Sequence, residues 1–166
     1  NQGPYEWENN AIGKERVVIP PWRPIAIADT TLTTRTAKFV VGNGGLWTAL
    51  EVLGKPLLTG PMQVVGAAGG AEFGWQGESV AIEGGKGRTF PPEFDRYDYQ
   101  VECPKVPFAQ LPETDGYEAI VTGKGTAGPV SVAVKSVMDF DGSTRHFLTY
   151  APRDGKPVKV DRLELV

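Results

Sequence analysis

The stretch "DFDGSTRHF", residues 139–147, gathers side chains that could do chemistry. Two carboxylates (Asp139, Asp141), Arg145 and His146, the only histidine of the chain, fall within eight residues. Such a set could exchange protons, hold a metal or close a turn. A calcium loop of the EF-hand type needs a Glu at its twelfth position, and the twelfth residue from Asp139 is Tyr150. That excludes an EF-hand and leaves only a lone calcium on Asp139, Asp141 and backbone carbonyls as a metal reading. Glycoside hydrolysis needs two carboxyl groups about 5–10 Å apart across a cleft. Asp139 and Asp141 lie two residues apart at a strand end, where both are expected to face water. His146 could be matched with Ser136 or Ser143 as nucleophile, yet no G-x-S-x-G elbow occurs. A polar partner across neighbouring strands is the expected role of His146.

Two further signals compete for attention. "GKGTAG" (123–128) matches G-x-G-x-x-G, but a dinucleotide site requires the motif to open a helix. Here Pro129 and a Val-rich strand follow, so it reads as a loop; no P-loop motif exists. Cys103 is the only cysteine, which excludes an internal disulfide and any multi-cysteine metal site. It reads as a small apolar residue. The sequence therefore calls for no cofactor and no metal. Aromatic residues offer more, since Trp and Tyr faces stack on the C–H faces of sugar rings. Trp7, Trp22, Trp47 and Trp75 and the pair Tyr97/Tyr99 are the candidates. Trp22 and Trp47 read as core between two sheets. Trp75, in the Gly-flanked "FGWQGE", is the strongest candidate for an exposed face, and Tyr97 and Tyr99 share one side of a strand. Trp75, Tyr97 and Tyr99 are thus the expected carbohydrate-binding residues, and no catalytic residue is assigned.

The elements that must position these groups are β-strands. Gly (21) and Pro (14) interrupt the chain so often that few stretches have room for a helix. The long uninterrupted ones are rich in Thr and Val, which suit a pleated surface. "ERVVIPPWRPIAI", broken by three prolines, reads as an edge strand or extended crossover. "TLTTRTAKFVV" reads as one strand, with "GNGG" (42–45) turning into "LWTALEVLG". Short strands are expected in "KPLLTGPMQVVGAAGG". Between residues 70 and 116 only "SVAIEG" and "YDYQVEC" read as strands. From Tyr117 on, "YEAIVTGKG", "PVSVAVKSVMDF", "RHFLTYAP" and "PVKVDRLELV" alternate clearly. Asp141-Gly142 is a two-residue turn signal and Asp154-Gly155 supplies the next, so 130–166 reads as a three-stranded antiparallel meander. On its first strand Val130, Val132, Val134, Ser136 and Met138 share the core face, and Asp139 points away.

Length and charge narrow the class. With 166 residues, one domain is expected: an irregular segment 1–16, then a single sandwich over 17–166. A composition 40% hydrophobic and 22% charged is that of a folding chain. A net charge of −3 without a Lys/Arg run makes nucleic acid and anionic membranes poor partners. No apolar run approaches the roughly 18 residues that span a bilayer, and the start carries no signal-peptide pattern. Opening on "NQGPYEWENN" without Met, the chain is expected to be a piece of a larger protein.

Two stretches carry a family resemblance. "VVIPPWRPIAI…TLTTRTAKFVVGNGGLWTALEVLGKPLLTGPMQVV" resembles the opening of the β-sandwich that precedes the catalytic barrel in bacterial glycoside hydrolases similar to family 123, with its "PPW-x-P" segment, Gly-rich turn and "G-x-x-LL-x-x-P" element. "VKSVMDFDGSTRHFLTYAPRDGKPVKVDRLELV" resembles the closing strands of that domain, with an "x-F/Y-D-G" turn and "V-x-V-D-x-L-x-L" ending. Together they span residues 17–65 and 130–166, about half the chain. "STRHF" departs from the pattern, in which an apolar residue and a short polar strand follow the turn. The resemblance implies hydrolysis of β-N-acetylgalactosaminides assisted by the substrate's acetamido group, with an Asp-Glu pair on the barrel. That barrel is absent from this chain, so no catalytic residue is carried over. It also implies an extracellular or periplasmic location.

The resulting expectation is an all-β antiparallel sandwich, jelly-roll or supersandwich-like, with little or no helix. Its expected role is a non-catalytic accessory domain of a carbohydrate-active enzyme, with a glycan or polysaccharide and the catalytic domain of the same parent chain as partners. A carbohydrate-binding module or lectin-like domain is the alternative, and a cell-surface interaction module the second.

Overall fold

A computed structural model describes residues 15–92 and 107–166. The described chain is all-β, with thirteen strands in three sheets and one 3-10 turn at Phe108–Gln110. None of its helices is long and apolar enough to cross a membrane. In chain order the strands are β1 (Val17–Val18), β2 (Ala26–Ala28), β3 (Thr31–Thr33), β4 (Ala37–Val41), β5 (Trp47–Val52), β6 (Lys55–Pro56) and β7 (Val64–Ala68). They continue as β8 (Ala71–Phe73), β9 (Trp75–Thr89), β10 (Glu113–Ala127), β11 (Val130–Asp139), β12 (Thr144–Pro152) and β13 (Arg162–Leu165).

The large sheet has the order β1-β9-β10-β11-β12. All its pairings are antiparallel except that of β1, which lies parallel to the end of β9. Two sheets cover one of its faces: β2-β3-β4-β5-β6 at one end and β13-β7-β8 at the other. The core follows this division. Leu32, Phe39, Val41 and Trp47 from the first covering sheet meet Ala119, Val121 and Met138 of the large sheet. Val64 and Leu46 meet Ala127, Val132 and Val134, with Phe73, Trp75 and Leu163 packed alongside. This is sheet-on-sheet packing, in which alternate residues of each strand point into the shared layer.

The alternation on β11 matches its sequence pattern. Val130, Val132, Val134, Ser136 and Met138 are buried, while the residues between them reach water to varying degrees. β11 and β12 pair through a turn at the expected place but of three residues (140–142), not two, closed by the Asp139 N–H on the Ser143 carbonyl; Gly142 takes φ +90 and the Asp141 carboxylate accepts the backbone N–H of Ser143 at 2.8 Å. A residue with a Cβ would be strained there.

Three expectations need correction. "TLTTRTAKFVV" is two strands, because Thr34 turns the chain: its hydroxyl accepts the Ala37 N–H at 3.1 Å and its own N–H donates to the Ala37 carbonyl at 2.9 Å. Thr competes for local backbone groups in this way. Strand β9 runs through fifteen residues, well beyond "SVAIEG", and carries its glycines inside the strand. The third strand of the expected meander leaves: β13 pairs with β7 in a different sheet (Leu163 opposite Gly66). The nine residues from Arg153 to Asp161 carry Pro157 and are too long for a tight hairpin, and the Asp161 N–H donates to the Ala67 carbonyl at 2.8 Å. Leu163 then reaches the Val64 cluster.

Candidate functional site

The register of β11 and β12 sets Ser136 opposite His146. The Ser136 hydroxyl lies 2.7 Å from His146 Nδ1, and Ser136 is completely buried. The indole of Trp47 packs against the imidazole in a T-shaped contact, with ring centroids 5.3 Å apart. Burial without a facing carboxylate disfavours the imidazolium, so the His146 pKa falls below its ordinary 6.5. A serine nucleophile has to reach a substrate carbonyl and a base has to be oriented by a third group. Ser136 reaches nothing outside the core, and His146 is held by packing. The pair is a satisfied polar contact in the floor of the sandwich.

Of the two acidic residues, Asp141 has its carboxylate committed and Asp139 its backbone. Asp141 caps its own turn, and the backbone N–H of Asp139 donates to the Ser143 carbonyl at 2.9 Å. Among the described residues no group of three His, Cys, Asp or Glu side chains converges to hold a metal.

The "GKGTAG" loop expectation is corrected as well. Residues 123–127 belong to β10, and their glycines create a floor for close approach of another chain segment. The tip of the β4–β5 hairpin, Asn43-Gly44-Gly45, is pressed onto it. A Cβ on Gly123 would stand 2.2 Å from the Gly44 carbonyl carbon and oxygen, and one on Gly77 of β9 would stand 1.8 Å from the Asn43 oxygen. The Gly44 N–H donates to the Ser79 carbonyl at 3.1 Å, sealing the tip to the large sheet. Sequence reasoning recognised "GNGG" as a turn but not as a plug; the coincidence of two Gly-rich stretches was its only available signal.

Trp75 finishes this arrangement. It opens β9 and is half-buried, with the six-membered ring of its indole lying over Gly44 and Gly125; a Cβ on Gly125 would stand 2.5 Å from Cη2. One side of the ring is therefore occupied by the protein's own backbone. Trp47 is buried as a core residue. Trp22 is half-buried and lines a shallow cleft with Pro24, Phe90, Pro91, Pro92 and Pro112. Tyr97 and Tyr99, together with Trp7 and Cys103, lie outside the described residues.

The opposite face of the large sheet carries groups that no sequence motif marked. Reading across β9, β10, β11 and β12, the register gives the rows Glu83–Ile120–Val137–Arg145, Ala81–Thr122–Lys135–Phe147 and Ser79–Lys124–Ala133–Thr149. These side chains point away from both core clusters. Phe147 is 53% exposed. Comparison with protein-family models, curated proteins and solved structures returns no match.

Proposed function

We propose that this chain is a non-catalytic β-sandwich module of a larger carbohydrate-active protein, serving its catalytic domain as a support or a glycan contact. The observation that carries the reading is the fate of the reactive groups. His146 and Ser136 are spent on each other beneath Trp47, and Asp141 on its turn. The resemblance of residues 17–65 and 130–166 to the sandwich of family 123-like hydrolases supplies the carbohydrate context. Exposed apolar side chains on the β5–β6 hairpin support a docking role, since Leu53 is 77% exposed and Leu57 61%. Leu53 also holds a left-handed φ of +50, a conformation uncommon for a leucine.

The test is turnover. The purified chain is incubated with a panel of chromogenic glycosides, N-acetylgalactosaminides included, beside His146→Gln and Asp141→Asn. No hydrolysis above a heat-denatured blank is expected. Hydrolysis abolished by either substitution would overturn the non-catalytic reading.

A further inference from the structure

We infer that the outer face of the large sheet binds an anionic polysaccharide along a diagonal of three cations, an inference that rests on the carbohydrate-module reading and names its ligand class. Arg145 on β12, Lys135 on β11 and Lys124 on β10 occupy successive rows of adjacent strands. A row step of two residues and a strand step of nearly 5 Å separate neighbouring cations by roughly 8 Å at the backbone. The strip is therefore about 17 Å long by the same strand spacings, a run that suits repeated anions on one chain better than a single small anion.

All three cations are exposed and lack an ion pair among the described residues. Three arginines elsewhere on the sandwich are paired: Arg16 with Glu118, Arg88 with Glu113, and Arg162 with Glu72 and Glu164. Carboxylates border the diagonal at both ends: at the Lys124 end Glu78 is exposed at the β9 bulge beside Ser79. Glu83 sits three strands away in the row of Arg145, and Glu118 and Asp139 share the row beyond, where Arg16 engages Glu118. None of these carboxylates forms an ion pair with Arg145, Lys135 or Lys124.

The surroundings suit a flat saccharide. Ala81, Thr122, Ala133 and Thr149 are short side chains that keep the face low, and Phe147 stands beside Lys135 in the middle row. The C–H face of a sugar ring can rest on Phe147 while its carboxylate or sulfate meets the neighbouring cations. A nucleic acid would place a denser phosphate array against a chain of net charge −3, which disfavours it over a sparser polyanion.

The experiment measures binding of the whole chain to a sulfated polysaccharide, a polyuronate, a neutral galactan and a single-stranded oligonucleotide. Binding is expected to one or both polyanionic glycans and not to the galactan. Three contacts to a flexible polyanion give a log–log salt slope of about −2, so raising salt fourfold should weaken binding about fifteenfold. Lys124→Glu combined with Lys135→Glu should weaken it at least tenfold. Phe147→Ala should weaken it severalfold with the salt slope unchanged. Lys86→Glu, elsewhere on the large sheet, should change the affinity less than twofold. Circular dichroism confirms that each variant is folded, and Lys135→Gln repeats the test with a milder change. Absence of binding to both polyanionic glycans, or equal binding by the double variant, would overturn the strip. Oligonucleotide binding as tight as the glycan's would overturn its ligand class. Galactan binding indifferent to these substitutions would sink the strip while leaving the carbohydrate reading intact; glycoside turnover would sink that reading instead.

Discussion

Replacing Gly123 by Ala distinguishes a glycine that merely occupies a strand from one that is a contact surface. Gly123 sits inside β10 without a positive φ. On backbone grounds alone, alanine at such a site should stabilise the protein by about 0.4–1 kcal/mol through the unfolded chain. The structure predicts the opposite sign. The new Cβ would fall 2.2 Å from the Gly44 carbonyl, so the hairpin tip must lift by about 1 Å to regain ordinary contact. Both partners are backbone, so no rotamer change relieves the clash. Lifting the tip stretches the Gly44 N–H bond to Ser79, now 3.1 Å, and loosens the indole of Trp75 from Gly44. Overpacking of this kind costs about 1–3 kcal/mol, and an unsatisfied buried N–H adds about 1–3 kcal/mol. A net loss of about 1–5 kcal/mol follows after the backbone gain is subtracted. At about 2–4 °C per kcal/mol for a chain of this size, the thermal midpoint should fall by roughly 2–20 °C. Thermal and urea unfolding of wild type, Gly123→Ala and Gly74→Ala measure the shift and the free energy. Gly74 has open space around its Cβ position and no positive φ, so its variant should be neutral or slightly more stable. A Gly123→Ala protein as stable as wild type would refute the plug.

Two other outcomes follow from the same packing. Because the His146 pKa is depressed by burial, the unfolded chain binds the additional proton first as pH falls through about 6.5. Stability should therefore be constant with respect to this group above that pH and decline below it, until the folded-state pKa is passed. Urea midpoints from pH 8 to 5 should show this decline, and His146→Phe should flatten that part of the profile; an unchanged profile would remove His146 as its source. Trp75→Ala should cost about 2–4 kcal/mol by opening the cover over Gly44 and Gly125. Chemical denaturation checks this, and a loss within 0.5 kcal/mol would show that the indole is not part of the packing. Glycan binding lost in this variant would have to be compared with its folded fraction at the assay temperature.

The amino-acid sequence by itself determined the class and the local hairpins. Alternation is a property of neighbouring residues, so the buried face of β11 could be read from Val130 to Met138, and so could the Asp141-Gly142 turn, where one glycine supplies φ +90. Turn chemistry acts over two to four residues and needs no knowledge of what lies opposite. It did not fix which residues face each other: a two-residue turn at Asp141-Gly142 would set Ser136 opposite Phe147, whereas the three-residue turn that forms sets it opposite His146. Thr34 escaped notice because its capping bond breaks a Thr-rich run that propensity reads as continuous.

What remained was decided by surfaces brought together from distant parts of the chain. β13 joins β7 because Leu163 finds the Val64 cluster, a partnership that the alternation of either strand leaves open. The glycines at 44, 77, 123 and 125 acquire their meaning only when the hairpin tip and the Trp75 ring lie against them. The diagonal of Arg145, Lys135 and Lys124 exists through the register of three strands, since their positions in the chain follow no motif. Local sequence encodes which side of a strand faces the core; tertiary packing chooses the neighbour, because that choice depends on the complementary shape of a surface built elsewhere.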